Sequence, residues 1–333
     1  MKTIKQLILL LFIFVSCAPE KKTKFSLEGS VEGVKEGTYV YLLIFSTKEI
    51  IDSAKVENSV FKFETNLPFS PLRAIIKSKS NFLYQDLWLE NNKMTFNSIN
   101  QDYNDGIVVG SETDIKYRTL YKVVDTLSRK DRDNFLMKFV EVNKDNILGP
   151  CVLTEWYVSW EKEKTEALYQ KFSDSNKNSQ YGKEILKYIQ SYKNPGIGDR
   201  YVDFELKDQF DKQVKLSDVE GKLILLDFWA SWCGPCRKDN KNLVNYYQKF
   251  NSLGFEIVQV SLDDNKEDWI NAINQDNLPW TNISDLNSWK SEGAMIYAIN
   301  LLPSNYLINE QGIIIDRDIK SQDLEDRLKE ILE

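Results

Sequence analysis

The sequence predicts a multidomain chain of 333 residues. A small antiparallel β-sandwich-like domain comes first, a helical segment follows, and an α/β domain on a central mixed sheet closes the chain. Three observations predict this order. Residues 25–105 alternate strand-forming residues with frequent turn residues. Over 111–193, apolar residues recur at steps of three and four. From 196 to 333, strand and helix patterns alternate and finish on a hairpin and a helix.

Ahead of these elements, residues 1–16 carry Lys2 and Lys5 before an apolar run from Leu7 to Val15. The run is too short to span a bilayer as a stable helix and matches a secretory signal. It ends at Phe14-Val15-Ser16-Cys17, which resembles a bacterial lipoprotein box, with Phe14 where Leu is usual. The resemblance implies that Cys17 is acylated and becomes the first mature residue. The charged stretch from Glu20 to Lys24 then serves as a tether. The expected location is the bacterial cell envelope, on a periplasm-facing lipid anchor with no spanning helix. The choice between inner and outer membrane stays open. The plainer reading is an ordinary signal peptide that happens to contain a cysteine.

Within 25–105, the segments Phe25 to Gly29, Thr38 to Leu43 and Val60 to Glu64 cluster or alternate β-formers. Gly29, Gly33, Gly37, Asn58-Ser59 and the stretch from Pro68 to Pro71 punctuate them. No catalytic constellation lies here, so binding, spacing and dimerisation are equally open roles. In the helical connecting region 111–193, Tyr117, Leu120, Tyr121, Val124 and Leu127 share a face, as do Ile185, Tyr188 and Ile189. Cys151 falls in this region and is expected to be an inert core thiol.

Asn194 to Gly198 is a cluster of breakers and the best domain boundary. After it the expected order is a hairpin (202–206 with 214–216), a strand (223–230), a helix stopping at Gly254 and a strand over 255–260. A helix around 269–273, a loop with Pro279-Trp280 and a helix from about Trp289 to Ala298 come next. A hairpin of 304–309 with 312–316 and a last helix carrying Leu324, Leu328 and Ile331 complete the domain.

Composition bounds the chemistry. Hydrophobic residues make up 42%, which suits a packed core, and the formal charge of -7 gives no broad attraction to nucleic acid or anionic lipid. There is no histidine, which removes Ser-His, Cys-His and His-metal schemes. Acid–base work must fall to carboxylates, thiols, amines, tyrosines or water. Four cysteines (17, 151, 233 and 236) are too few for a disulfide scaffold.

Trp232-Cys233-Gly234-Pro235-Cys236 follows directly on the apolar stretch from Leu223 to Ala230. A strand that runs into Cys-x-x-Cys at a helix start is a thiol–disulfide site. The first thiol lies at the exposed tip and the second one turn inside. The helix dipole and free N–H groups favour a thiolate at Cys233, and Arg237 and Lys238 add positive charge. Cys233 is the expected nucleophile on a substrate disulfide, and Cys236 resolves the mixed disulfide. Trp232 offers a flat apolar surface for substrate.

These residues resemble a known family. From about Gly196 to Glu333 the chain is similar to a thioredoxin-fold domain of the TlpA/ResA type of envelope thiol–disulfide oxidoreductase. The likeness is carried by Asp227 to Cys236, by Pro303 in Leu302-Pro303-Ser304 and by Leu307 to Gly312. The N-terminal β region resembles the small domain fused ahead of such enzymes in lipoproteins of Bacteroidetes-type bacteria. The resemblance implies that Asp227 is the buried acid behind the second cysteine, where a raised pKa lets it take the proton of Cys236. Relatives with a neutral residue there use a carboxylate three residues after the second cysteine, where Asp239 stands in place of the commoner Glu. Pro303 is implied to be a cis-proline that packs against the disulfide and offers backbone to substrate; Leu302 replaces the commoner Thr, Val or Ile. No cofactor beyond the Cys233–Cys236 disulfide is implied, and no metal. The implied partners are disulfide-bearing envelope proteins and an unidentified membrane electron donor.

Three other readings remain. A thiol peroxidase of the AhpC/TSA-like group uses Pro-x-x-x-Thr-x-x-Cys, and Leu226 and Ala230 stand at the Pro and Thr places before Cys233. A metal carrier has only Cys233 and Cys236 to offer and lacks further soft or imidazole ligands. A binding module, with the β domain as its main function and the C-terminal part as an auxiliary, fits the sequence too.

Overall fold

A computed structural model of the chain describes residues 24–79, 83–99 and 106–333. The signal segment 1–16 and Cys17 lie outside the described residues. The chain divides after Ser128 into two compact units. The helices drawn from the sequence as one connecting region over 111–193 are shared between them.

The first unit contains β1 (Ser26–Ser30), β2 (Tyr39–Ile44), β3 (Ile50–Lys55), β4 (Val60–Phe63), β5 (Leu72–Ser78), β6 (Tyr84–Leu89), β7 (Lys93–Asn97), β8 (Ile107–Val109) and the helix α1 (Glu112–Val124). The strands form two four-stranded sheets, β4-β1-β7-β8 and β3-β2-β5-β6. Alternate residues of both sheets, among them Leu27, Phe63, Val40, Leu42, Ile76 and Leu87, enclose one apolar core. At Gly29 the Phe61 ring lies across the backbone, and a Cβ there would sit 2.1 Å from its tip. The antiparallel expectation is corrected in one place: β1 and β7 run parallel. Five strands separate them in sequence, which supplies the long crossover that parallel neighbours need.

The second unit opens with five helices: α2 (Arg129–Val142), α3 (Leu148–Trp156), α4 (Lys162–Gln170), α5 (Asp174–Asn178) and α6 (Gln180–Ser191). Cys151 is buried in α3 and takes no part in the disulfide described below. There follow β9 (Glu205–Asp208), β10 (Gln213–Lys215), β11 (Leu223–Trp229), α7 (Gly234–Phe250), β12 (Phe255–Ser261), α8 (Lys266–Asp276), β13 (Thr281–Ser284), α9 (Glu292–Ile296), β14 (Ser304–Asn309), β15 (Ile314–Arg317) and α10 (Ser321–Leu332).

The seven strands form one mixed sheet in the order β10-β9-β13-β12-β11-β14-β15. The three inner strands β11, β12 and β13 are parallel neighbours, and β14 closes antiparallel on β11. The run Leu223-Ile224-Leu225-Leu226 lies in the middle of this sheet, which is why it is apolar on both faces. Gly254, at φ +107°, ends the turn after α7 and feeds β12.

Two segments differ from the sequence reading. The loop expected with Pro279-Trp280 contains the strand β13. Its buried Asn282 and Ser284 break the apolar run by which an interior strand is recognised. The helix expected over 289–298 is only a 3-10 turn at 288–290 followed by the five-residue α9. Ser291, at φ -54° and ψ 138°, leaves helical backbone angles and separates the two, and Ala298 at φ +56° ends the segment.

Candidate active site

β11 ends at Trp229, and Ala230-Ser231-Trp232 carry the chain to the start of α7. The Cys233 N–H donates back to the Ala230 carbonyl at 3.0 Å, which closes this turn. Cys233 occupies the cap position of α7, and the backbone N–H of Cys236 donates to its Sγ at 3.2 Å. The sulfur therefore stands where a capping serine or aspartate oxygen normally sits. Pro235 lies in the first turn, where a missing N–H costs no helix hydrogen bond.

Cys233 and Cys236 form a disulfide, with S–S 1.97 Å and Cα atoms 5.3 Å apart. Both are buried, which corrects the expectation of an exposed first thiol, while Trp232 beside them is 55% exposed. The Leu302–Pro303 peptide is cis, in agreement with the resemblance. Pro303, Cys236, Asp227 and Asp239 all line one cavity of about 420 Å³, together with Lys238, Asp318 and Lys320. The four expected residues are thus brought together around the second sulfur. Cys17 alone lies outside the described residues.

Asp227 is 5% exposed in the middle of β11, in register with Gln259 of β12 and Asn305 of β14. Burial pushes its carboxyl up to about 7, against which the Gln259 amide works and to which the negative charge of Asp239 adds. Asp239 is half-buried; burial raises its carboxyl too, and the neighbouring Lys238 opposes the rise.

Behind Asp227 runs a polar chain that the sequence reading missed. Gln259 Nε2 donates to Asp227 Oδ2 and to Asn240 Oδ1, both at 2.8 Å. Trp280 Nε1 donates to Gln259 Oε1 at 2.9 Å, and Asn240 Nδ2 donates to Asp276 Oδ2 at 2.8 Å. Arg237 turns away from the thiols to meet the same Asp276, at 2.5 and 2.8 Å. The positive charge expected from Arg237 is thus paired with the Asp276 carboxylate. A polar Gln inside the apolar run of β12 is the same signal that singled out Asp227, and it could have found this partner. Among the described residues, no group of Cys, Asp and Glu side chains is arranged to hold a metal ion.

Residues 197–317 match the AhpC/TSA family. This part of the chain is an AhpC/TSA domain with a thioredoxin fold. Residues 25–117 match a domain of unknown function, DUF4369. The thiol-disulfide oxidoreductase ResA of Bacillus subtilis is 32% identical over 112 residues, 34% of this chain and 61% of that protein. ResA of Oceanobacillus iheyensis is 35% identical over 122 residues, 35% of this chain and 62% of that one. The chain therefore spans about three-fifths of the length of these curated relatives. Among solved structures, a thiol-disulfide oxidoreductase from Bacteroides fragilis is 34% identical, covering 40% of this chain and 100% of that one, at a TM-score of 0.39. The thioredoxin domain of one from Bacteroides vulgatus is 28% identical, covering 42% and 99%, at a TM-score of 0.39. The AhpC/TSA domain contains all six site residues expected downstream of residue 196.

Proposed function

We propose that the chain is a thiol–disulfide oxidoreductase that reduces protein disulfides through Cys233 and Cys236. The observation that carries this reading is the Cys233–Cys236 disulfide at the start of α7, with a proton-binding Asp227 buried on the wall of the same cavity. The ResA relatives, each named a thiol-disulfide oxidoreductase, support it.

The cycle starts from the dithiol. The Cys233 thiolate, favoured by the Cys236 N–H and the helix start, attacks one sulfur of a substrate disulfide. A Cys233–substrate bond forms, and the other substrate sulfur leaves as a thiolate that takes up a proton. Cys236 then gives its proton to the Asp227 carboxylate and attacks Cys233 Sγ. The intramolecular disulfide forms, and the second substrate sulfur leaves. Two electrons have passed to the substrate, and an external dithiol or membrane donor must restore them. Asp239, half-buried on the wall of the same cavity, is the proton carrier between Asp227 and water in this scheme. Pro303 supplies backbone for the substrate strand, and Trp232 supplies apolar contact.

No cofactor beyond the disulfide enters the scheme. The basic start, the apolar run from Leu7 to Val15 and Cys17 support an exported, lipid-anchored protein. Among the described residues no helix is long and apolar enough to cross a membrane. A peroxidase reading has less support, because Leu226 and Ala230 stand where that motif has Pro and Thr.

Cys236→Ser tests the proposal. Envelope proteins should accumulate on Cys233 as mixed disulfides released by dithiothreitol. No trapped partner, together with no reduction of insulin by the wild type, would refute it. A redox potential near that of strong oxidants would reverse the electron flow.

A further inference from the structure

Trp232 has a second indole beside it. Its ring centroid lies 6.0 Å from that of Trp289, with the planes inclined by 51°; interacting aromatic pairs fall at roughly 4.5–7 Å. Trp289 is half-buried and packs on the core of the AhpC/TSA domain. Leu301, two residues before the cis-proline, is 71% exposed. Large apolar side chains left in water around a reactive bond mark a contact surface.

The segment carrying Trp289 is strained and pinned. Leu286 and Ser288 hold left-handed angles, φ +55° and +52°. Such angles cost on the order of 1 kcal/mol or more each for residues other than glycine, and they persist only where the surroundings over-determine them. Here the Leu286 N–H donates to Ser284 Oγ at 3.1 Å, and the Glu292 N–H donates to Asp285 Oδ2 at 3.0 Å. Lys290, next to Trp289, pairs with Glu184 of α6 at 2.7 Å. The loop is held from its own strand, from α9 and from the helices that precede the domain.

We propose that Trp232 and Trp289 form a subsite for an aromatic or bulky apolar side chain flanking the substrate cysteine. Trp289 determines this specificity, and the Lys290–Glu184 pair positions it. The inference rests on the oxidoreductase reading. Its occupant follows from covalent connectivity: in the mixed disulfide the substrate sulfur is bonded to Cys233 Sγ, and Trp232 is the adjacent residue. Substrate residues flanking the cysteine pass beside Trp232, whose ring neighbours that of Trp289. A third ring entering the wedge meets one face and one edge, the arrangement aromatic quadrupoles favour.

Two peptide disulfides that differ only in Phe or Gly beside the cysteine test the subsite. The wild type should reduce the Phe peptide with a kcat/KM about tenfold higher, the scale on which apolar pockets discriminate. Trp289→Ala should bring that ratio close to one, and Trp289→Phe should keep most of it. Lys290→Met should lower the ratio while leaving some preference. Equal reduction of both peptides by the wild type, or a Trp289→Ala variant that keeps the preference, overturns the subsite and leaves the oxidoreductase reading standing. Reduction of neither peptide overturns both. Trp289→Leu, which keeps bulk without the ring, decides by the same ratio if the alanine variant does not fold.

Discussion

Asp114 in the sandwich unit and Asp227 in the AhpC/TSA domain are both buried aspartates whose carboxyl groups burial pushes up. Their surroundings differ. Asp114, 1% exposed, accepts from Arg118 Nε at 2.6 Å and from the Trp88 N–H at 2.9 Å. Its ionised form has a cation and a backbone donor to hold it. Asp227 accepts one amide N–H from Gln259, and the charge that acts on it is the negative one of Asp239. The first carboxylate ties α1 to β6 and belongs to the fold. The second can lose or gain a proton near neutral pH without breaking an ion pair. What separates the two acids is the missing cation, not the depth of burial.

The largest expected effect is on stability against pH. Folding raises the Asp227 carboxyl from 3.8 to about 7, so across that window the folded chain holds more protons than the unfolded one. Stability is therefore full below about pH 4, falls as pH rises through about 7, and levels off above. The fall from this one group approaches about 4 kcal/mol. Urea unfolding of the oxidised protein from pH 4 to 8 measures it, and Asp227→Asn should flatten the curve. An unchanged slope in that variant would assign the fall to other groups and break the contrast with Asp114.

Asp114→Asn comes next. It leaves the half-buried Arg118 without its carboxylate and should lower the stability of the sandwich unit by about 3 kcal/mol. Thiol–disulfide exchange should be unaffected. A loss of exchange as large as the loss of stability would show that the two units are coupled.

The third effect is kinetic. Asp227→Asn removes the proton acceptor proposed for Cys236 and should slow release of the mixed disulfide about 100-fold at pH 7. In the wild type the rate of that step should rise with pH through about 7, because the ionised carboxylate is the active form. A stopped-flow profile with the same slope in the variant would place the base elsewhere, with Asp239 the next residue to replace.

The contrast also explains what the sequence made legible. An acid inside Leu225-Leu226-Asp227-Phe228 announces itself, because a carboxylate in an apolar strand needs a reason. Cys-x-x-Cys at a strand–helix junction is legible for a similar reason, whereas the cis form of Pro303 follows only from the family resemblance. Asp114 was invisible, since a first-turn aspartate of a helix is an ordinary surface residue until tertiary packing covers it. The parallel β1–β7 pair was hidden because alternation reports which face a residue takes and not the direction of its neighbour. The helix expected over 289–298 is cut at Ser291, whose non-helical backbone leaves Trp289 on a separate 3-10 turn. The wedge it makes with Trp232 joins residues 57 apart in sequence and exists only once the loop is folded.

Gln259 offers the finest adjustment of the comparison, since its amide is all that Asp227 has in place of the arginine beside Asp114. Nε2 is shared between the Asp227 carboxylate and Asn240, and the bond to Asp227 favours the ionised acid. Gln259→Leu should therefore move the Asp227 carboxyl further up. The pH at which stability stops falling, and at which the resolving step reaches half its rate, should both shift alkaline by about one pH unit, or about 1.4 kcal/mol. The substitution also strands Trp280 Nε1 and Asn240 Oδ1, so a loss of stability at every pH will accompany the shift. The two effects separate cleanly, because the stranded amide and indole do not titrate. A pH-independent loss with both midpoints unmoved would mean that Gln259 only packs the sheet. A matched alkaline shift in stability and rate would mean that one amide sets the pH at which this disulfide site exchanges.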